Sequence, residues 1–195
     1  MTQELKEQIL GNLVQAIEFL RECKGISELI PEVRMNIAYA LPNAKSVADI
    51  AAIPGRITTY SGTIHVYSYP AFGASDHLAR ALLEVQKYDA SIRAVINFKY
   101  TPEFYHWLQT YCQGEHLTMV LVDRAEEPHE ASSIDGQSMP WKIKKGIGLA
   151  QNKVPDIIGE NEALGKEPLF KLFGQSATDV AKKLVKIANA WIERI

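Results

Sequence analysis

Arg56-Ile57-Thr58-Thr59-Tyr60-Ser61-Gly62-Thr63-Ile64-His65-Val66-Tyr67-Ser68-Tyr69 carries a strand-pairing signal that bears on the whole sheet. Two runs rich in Ile, Thr, Val and Tyr flank Ser61-Gly62, which has the composition of a two-residue β-hairpin turn. A hairpin pairs its strands antiparallel, so an all-parallel sheet fits this chain poorly and mixed or largely antiparallel pairing is expected.

Towards the N-terminus, Met35, Ile37, Tyr39 and Leu41 alternate with Arg34, Asn36, Ala38 and Ala40, the period of a half-buried strand that Pro42-Asn43 ends. Before it, Leu5, Ile9, Leu13, Ile17 and Leu20 form the stripe of an amphipathic helix expected to close near Gly25. Towards the C-terminus, Phe72-Gly73-Ala74 leads into a helix that Ser75 can cap, with Leu78, Leu82 and Val85 on its inner side. Ile92 to Tyr100 and Leu117 to Val122 read as strands; Pro102 is placed to open a helix between them, with Phe104, Trp107, Leu108 and Tyr111 inside. Arg124 to Gln137 reads as a surface loop, and a helix is expected from about Met139-Pro140-Trp141 to Gln151. Asp156 to Ile158 and Leu169 to Phe173 read as short strands around a polar loop. Ser176 with Asp179 resembles a capping box, opening a last helix with Val180, Leu184, Ile187, Trp191 and Ile195 inside. The interleaving predicts an α/β fold, helices covering a mixed, mainly antiparallel sheet.

The 195 residues correspond to about one domain at roughly 150 residues each, and no linker or repeat divides them, so residues 1–195 are expected to form one unit. Hydrophobic residues make up 47% and charged residues 23%, a globular balance. Lys plus Arg number 21 against 23 Asp plus Glu, and the net charge of −2 argues against a nucleic-acid or anionic-membrane partner. Cys23 and Cys112 form no CxxC pair, the acidic start lacks a signal peptide, and no apolar run approaches the ~20 residues of a membrane span. The expectation is a cytoplasmic protein.

Pro54-Gly55-Arg56 and Gly73-Ala74-Ser75-Asp76-His77 are the most informative for chemistry. With Ser75 as N-cap, first-turn N–H groups and the positive helix end make an anion site, which Gly73 leaves open to close backbone approach. Arg56 adds a permanently charged fork, and His77 a donor that titrates near neutral pH. Asp76 either favours the helix dipole or helps hold a metal ion bridging phosphate oxygens. The plain alternative is a cap, a helix-start acid and a surface Arg that bind nothing. Asn97, Lys99 and Tyr100 either line a pocket or form a solvated strand end, and Asp123-Arg124 is either a ligand contact or a loop ion pair. Met139 and Trp141 either clamp an aromatic ring or close a loop as a hydrophobic cluster. The five histidines show no zinc spacing, and Gly165-Lys166-Glu167-Pro168 lacks P-loop spacing.

At these residues the sequence resembles the archaeal-type thiamine-phosphate synthase (ThiN) domain family. Ala52-Ile53-Pro54-Gly55-Arg56-Ile57 resembles the family's arginine motif and Phe72-Gly73-Ala74-Ser75-Asp76-His77 its histidine motif. The order continues through Asn97-Phe98-Lys99-Tyr100, Asp123-Arg124-Ala125-Glu126-Glu127-Pro128, Ser138-Met139-Pro140-Trp141 and Gly165-Lys166-Glu167-Pro168. The resemblance covers residues 31–195, with the helix in 1–25 less diagnostic. It implies a three-layer α/β/α domain of class II aldolase/adducin architecture. It implies a transferase joining hydroxymethylpyrimidine diphosphate to hydroxyethylthiazole phosphate, giving thiamine phosphate and pyrophosphate. It implies Arg56 and His77 as the residues of activity, with Gly73, Ser75, Asn97, Lys99, Asp123, Met139 and Lys166 as substrate-binding candidates.

Magnesium is expected with a diphosphate, carried on substrate oxygens rather than in a protein cage. A homodimer is consistent with the family. The segment Gly159-Glu160-Asn161-Glu162, read as loop, departs from the usual glycine-containing pattern. The alternative function is a non-catalytic thiamine-phosphate-binding sensor.

Overall fold

Alternation along the strands sorts the buried apolar side chains into two cores, one on each face of a seven-stranded sheet. The computed structural model describes residues 3–129, 136–163 and 165–194. The helices are α1 (Gln3–Glu22), α2 (Asp76–Val85), α3 (Pro102–Gly114), α4 (Ser138–Leu149) and α5 (Ala177–Ile192). The main sheet holds β1 (Ile37–Ala40), β2 (Ile50–Ala52), β5 (Ala71–Phe72), β6 (Ala94–Lys99), β7 (Met119–Val122), β8 (Ile157–Glu160) and β9 (Leu169–Gly174). Its order is β5-β2-β1-β6-β9-β8-β7; every pairing is antiparallel except the parallel β7–β8 pair. This is the mixed, mainly antiparallel α/β/α arrangement that the sequence predicts.

On one face Ile37, Ile96, Phe98, Ile157, Phe170 and Leu172 meet α1, α3 and α5. On the other Ala38, Ala40, Ala52, Val95, Ile158 and Phe173 meet α2 and α4. The period of two that exposes successive residues to opposite faces sets this division. The α1 stripe is buried at Ile9, Leu13, Ile17 and Leu20 and packs with α5 in the first core.

The hairpin, β3 (Ile57–Tyr60) with β4 (Thr63–Val66), forms a two-stranded sheet of its own and joins the rest through a bridge from Ile57 to Met35. Ser61 and Gly62 both have positive φ, +52° and +78°, as a two-residue turn matching strand twist requires. Two strands, β2 and β5, escape a periodicity reading because three and two residues are too short to show a period. Helix α1 stops at Glu22, three residues before Gly25, and a 3-10 turn follows over Ile26–Leu29. The expected strand Asp156–Ile158 runs on to Glu160, so Gly159 and Glu160 are buried strand residues and not loop. Residues 130–135 of the expected surface loop, and Ile195 of the last helical stripe, lie outside the described residues.

Candidate functional site

Strand order carries several chain segments to one end of the sheet, on the α2/α4 face. Asn97 pairs with Lys171 across β6–β9, and Glu160 with Leu169 across β8–β9, so these four residues share that face. Arg56 follows β2, Arg124 follows β7, and Ser75 and His77 stand at the start of α2. Together with Met139 and Lys142 of α4, and Lys166 and Glu167 from the turn before β9, they line a cleft of about 250 Å³. The lining carries five cationic side chains, Arg56, Arg124, Lys142, Lys166 and Lys171, against two carboxylates, Glu160 and Glu167. A chain with net charge −2 thus concentrates a local positive excess in its cleft.

The Arg56 loop is held from behind. Asn36 Nδ2 donates to the Ile53 carbonyl at 3.0 Å and Asn36 Oδ1 accepts from the Ile53 N–H at 3.0 Å. Arg56 has φ +67° after Gly55 at +75°, a left-handed pair that a branched chain rarely adopts. Its guanidinium donates to the Val33 carbonyl. Glu167 accepts from the Glu32 and Val33 N–H groups at 2.8 and 2.9 Å, tying the Lys166 turn to the same strip of chain.

Ser75 is the N-cap of α2, but its side chain makes no cap hydrogen bond, unlike the expectation that it would cap. The first-turn N–H groups are therefore not covered by it. His77, exposed at the cleft rim, has its pKa lowered by desolvation and then by the charge of Lys142; Asp76 opposes this, while Arg56 and Lys171 add to it. Asp76 accepts from Arg80 Nε at 2.6 Å.

At the floor, Glu160 lies 2.5 Å from Lys142 Nζ and 2.6 Å from Lys171 Nζ. All three are buried, at 2%, 7% and 3% exposure for Glu160, Lys142 and Lys171. Burial opposes the Glu160 charge, but the Lys171 and Lys142 ammoniums outweigh it and hold its pKa down at about 2. Burial and the neighbouring Lys171 push Lys142 down to about 8, against the pull of Glu160. Beside them Arg124, 5% exposed, pairs with Glu127 at 3.1 Å, while its Nε has no hydrogen-bond partner among the described residues.

The sequence candidates divide. Arg56, Ser75, His77, Asn97, Met139 and Lys166 all line the cleft. Asn97 spends its amide on the backbone, accepting from Asn36 N–H and donating to the Arg34 carbonyl, so it braces the arginine loop. Gly73 lies outside the lining; with φ +75° it turns the chain and donates its N–H to the Ile50 carbonyl. Lys99 lines a neighbouring open groove with Arg34, Tyr100 and Glu162. Asp123 also stands outside; it accepts from Ala125 N–H and Asn161 Nδ2, which holds its carboxyl below the usual range and orients the turn that carries Arg124. Trp141 faces a separate shallow groove with Lys144 and Lys145.

Lys142, Glu160 and Lys171 were not candidates from sequence. The two lysines carry a signal: Lys171 sits between Phe170 and Leu172 in a buried strand, and Lys142 shares the buried side of α4 with Met139 and Ile143. A lone charge inside an apolar stripe is rare unless it is paired.

The fold is a mixed α/β/α sandwich with a cationic cleft at one end of its sheet. The family model described as thiamine-phosphate synthase ThiN matches residues 12–186, and the chain belongs to that family. It is 32% identical to the thiamine-phosphate synthase ThiN of Methanothermobacter thermautotrophicus over 93% of each chain. It is 36% identical to the bifunctional thiamine biosynthesis protein ThiDN of Methanocaldococcus jannaschii, covering 95% of this chain and 42% of that one. A role in thiamine biosynthesis follows from the membership. Among solved structures, the C-terminal domain of a phosphomethylpyrimidine kinase superposes with a TM-score of 0.88 at 33% identity, over 93% of this chain and 99% of that one. A sugar-phosphate aldolase from Thermotoga maritima has a TM-score of 0.51 at 13% identity, over 97% and 95%, which shows a shared class II aldolase/adducin-like fold alone. No helix of the described residues is long and apolar enough to cross a membrane.

Proposed function

We propose that the chain is a thiamine-phosphate synthase, joining hydroxymethylpyrimidine diphosphate to hydroxyethylthiazole phosphate with release of pyrophosphate. The observation that carries this reading is the cationic cleft that gathers Arg56, His77 and the uncapped start of α2 in a chain of this family. The thiazole nitrogen forms a C–N bond to the pyrimidine methylene as the C–O bond to diphosphate breaks. The electron pair leaves on pyrophosphate, and the thiazole ring becomes a cation. The protein's task is to orient two rings and neutralise charge gathering on the leaving group.

Arg56 binds the diphosphate, its loop fixed by Asn36. His77, whose pKa is lowered first by burial and then by the neighbouring cations, donates an N–H to a phosphate oxygen, and an arriving anion opposes that lowering. Met139 supplies an apolar wall for a ring. Among the described residues no three of His, Cys, Asp and Glu stand together to hold a metal, and Asp76 is engaged with Arg80. Magnesium carried on the diphosphate oxygens would add charge neutralisation there.

The test is incubation with both precursors and Mg²⁺, reading thiamine phosphate and pyrophosphate. Arg56→Ala and His77→Ala should each lose about 10²–10³-fold in turnover, the scale of removing one transition-state donor, with unchanged melting temperature. Full activity in either removes its role. Binding of thiamine phosphate by calorimetry without any turnover would identify a sensor instead.

A further inference from the structure

Two lysines share one carboxylate at the cleft floor. One ammonium would neutralise Glu160; the second leaves a positive charge where water is scarce, an arrangement that stability alone does not favour. Both lysines line the cleft, one from a helix and one from a strand. Arg124 lines it too, with its side chain 2% exposed and its Nε without a hydrogen-bond partner among the described residues. The Lys142 ammonium pairs with Glu160 Oε2 and the Lys171 ammonium with Oε1, so each of the two three-donor groups spends one donor on the same carboxylate. The floor therefore holds surplus donors and surplus charge.

We propose that Lys142, Lys171 and Arg124 form a specific seat for a phosphate group of the ligand, with Glu160 as the positioning residue that holds the two ammoniums side by side. The chemistry favours a phosphoryl group over a carboxylate. Two ammoniums and a guanidinium offer more donors and more charge than a carboxylate, with two oxygens and one charge, can match, whereas a phosphoryl group brings three oxygens and up to two charges. The seat lies on the floor, apart from the Arg56 and His77 group at the rim. For the identity of the molecule that carries the phosphate, the inference rests on the synthase reading; for the seat itself it does not.

The experiment uses the full chain with inorganic pyrophosphate as probe, reading affinity by calorimetry and melting temperature in parallel. Lys142→Met leaves a neutral Glu160–Lys171 pair, so it should weaken pyrophosphate binding at least tenfold while melting at the same or a higher temperature. A purely structural lysine gives the opposite result: unchanged affinity with a lower melting temperature, or a chain that fails to fold, and either overturns the proposal. Glu160→Gln leaves two unpaired ammoniums. It should melt lower without ligand and gain more on adding pyrophosphate than the parent does; an equal or smaller gain also counts against the seat. The two readings fail separately. A parent that binds pyrophosphate through Lys142 but makes no thiamine phosphate defeats only the synthase, whereas a parent that turns over while Lys142→Met binds and turns over equally well defeats only the seat.

Discussion

The two faces of one sheet are built from the same strands and serve different ends. Under α1, α3 and α5 the strands present Phe98 and Phe170, stacked at 5.2 Å, with Phe104 edge-on to Trp191 at 4.8 Å. Under α2 and α4 the alternate positions of those strands present Asn97, Glu160 and Lys171, facing Lys142 on α4. The first face is continuous aromatic and aliphatic packing; the second is apolar in its middle and charged at one end. The helix starts repeat the contrast. Ser176 caps α5 by accepting the Asp179 N–H at 3.2 Å, whereas Ser75, with a ψ of 104° against 164° at Ser176, makes no side-chain cap bond and leaves its helix start open beside the cleft. Both faces carry an apolar core, and only the second leaves donors unspent at one end of it.

The largest effect should come from the apolar face. Phe170→Ala removes a ring that packs on Phe98, Tyr100, Phe104 and Tyr105, and should cost about 3–5 kcal/mol in denaturant unfolding. A loss under about 1 kcal/mol would break the comparison, because the continuous packing of that face would then contribute little.

Acid should act on the charged face. Glu160 is held from its ordinary 4.5 down to about 2, so its contribution is present above about pH 4.5 and is lost as pH falls towards 2. Protonation leaves Lys142 and Lys171 without a counter-charge. Melting curves taken from pH 6 to pH 2 should fall across that window, and Glu160→Gln should show a shallower fall although Asp49, Asp123 and Glu127 titrate in the same direction. An identical slope in both proteins would show that the floor does not carry the linkage.

The smallest effect is at the helix starts. Ser176→Ala should lose about 1 kcal/mol by urea unfolding, the usual value of a capping hydroxyl. Ser75→Ala should change stability by less than about 0.5 kcal/mol, since no cap bond is lost. Equal costs would mean that the two starts are alike.

Much of the fold is legible in local pattern. The Leu5 to Leu20 stripe, Pro102 opening α3, the Ser176–Asp179 cap and the Ser61-Gly62 turn all rest on neighbours within a few residues, and the structure has each in place. The cleft is legible in part. Arg56 and His77 stand out by their chemistry, a permanently charged fork after Gly55 and a titratable donor at a helix start, and by the family motifs that they resemble. Glu160 does not, because a polar residue beside Asn161 and Glu162 reads as loop until its two lysines are known to approach from α4 and β9. Asp123-Arg124 reads in the sequence as either a ligand contact or an ion pair, with Asp123 the candidate that the resemblance implies; in the fold Arg124 reaches the cleft, and it is ion-paired with Glu127.

The sequence by itself determined where chain segments turn, which side of each helix is apolar, and that an arginine loop and a histidine-bearing helix start exist. Those depend on steric and hydrogen-bond preferences within about one turn of chain. Only the tertiary structure decided that Arg56, His77, Arg124, Lys142, Glu160 and Lys171 meet, some more than a hundred positions apart in sequence. The order β5-β2-β1-β6-β9-β8-β7 and its registers put them on one face and at one end. Whether a buried lysine is a fault or a site depends on partners that this long-range pairing brings to it, and no local pattern contains them.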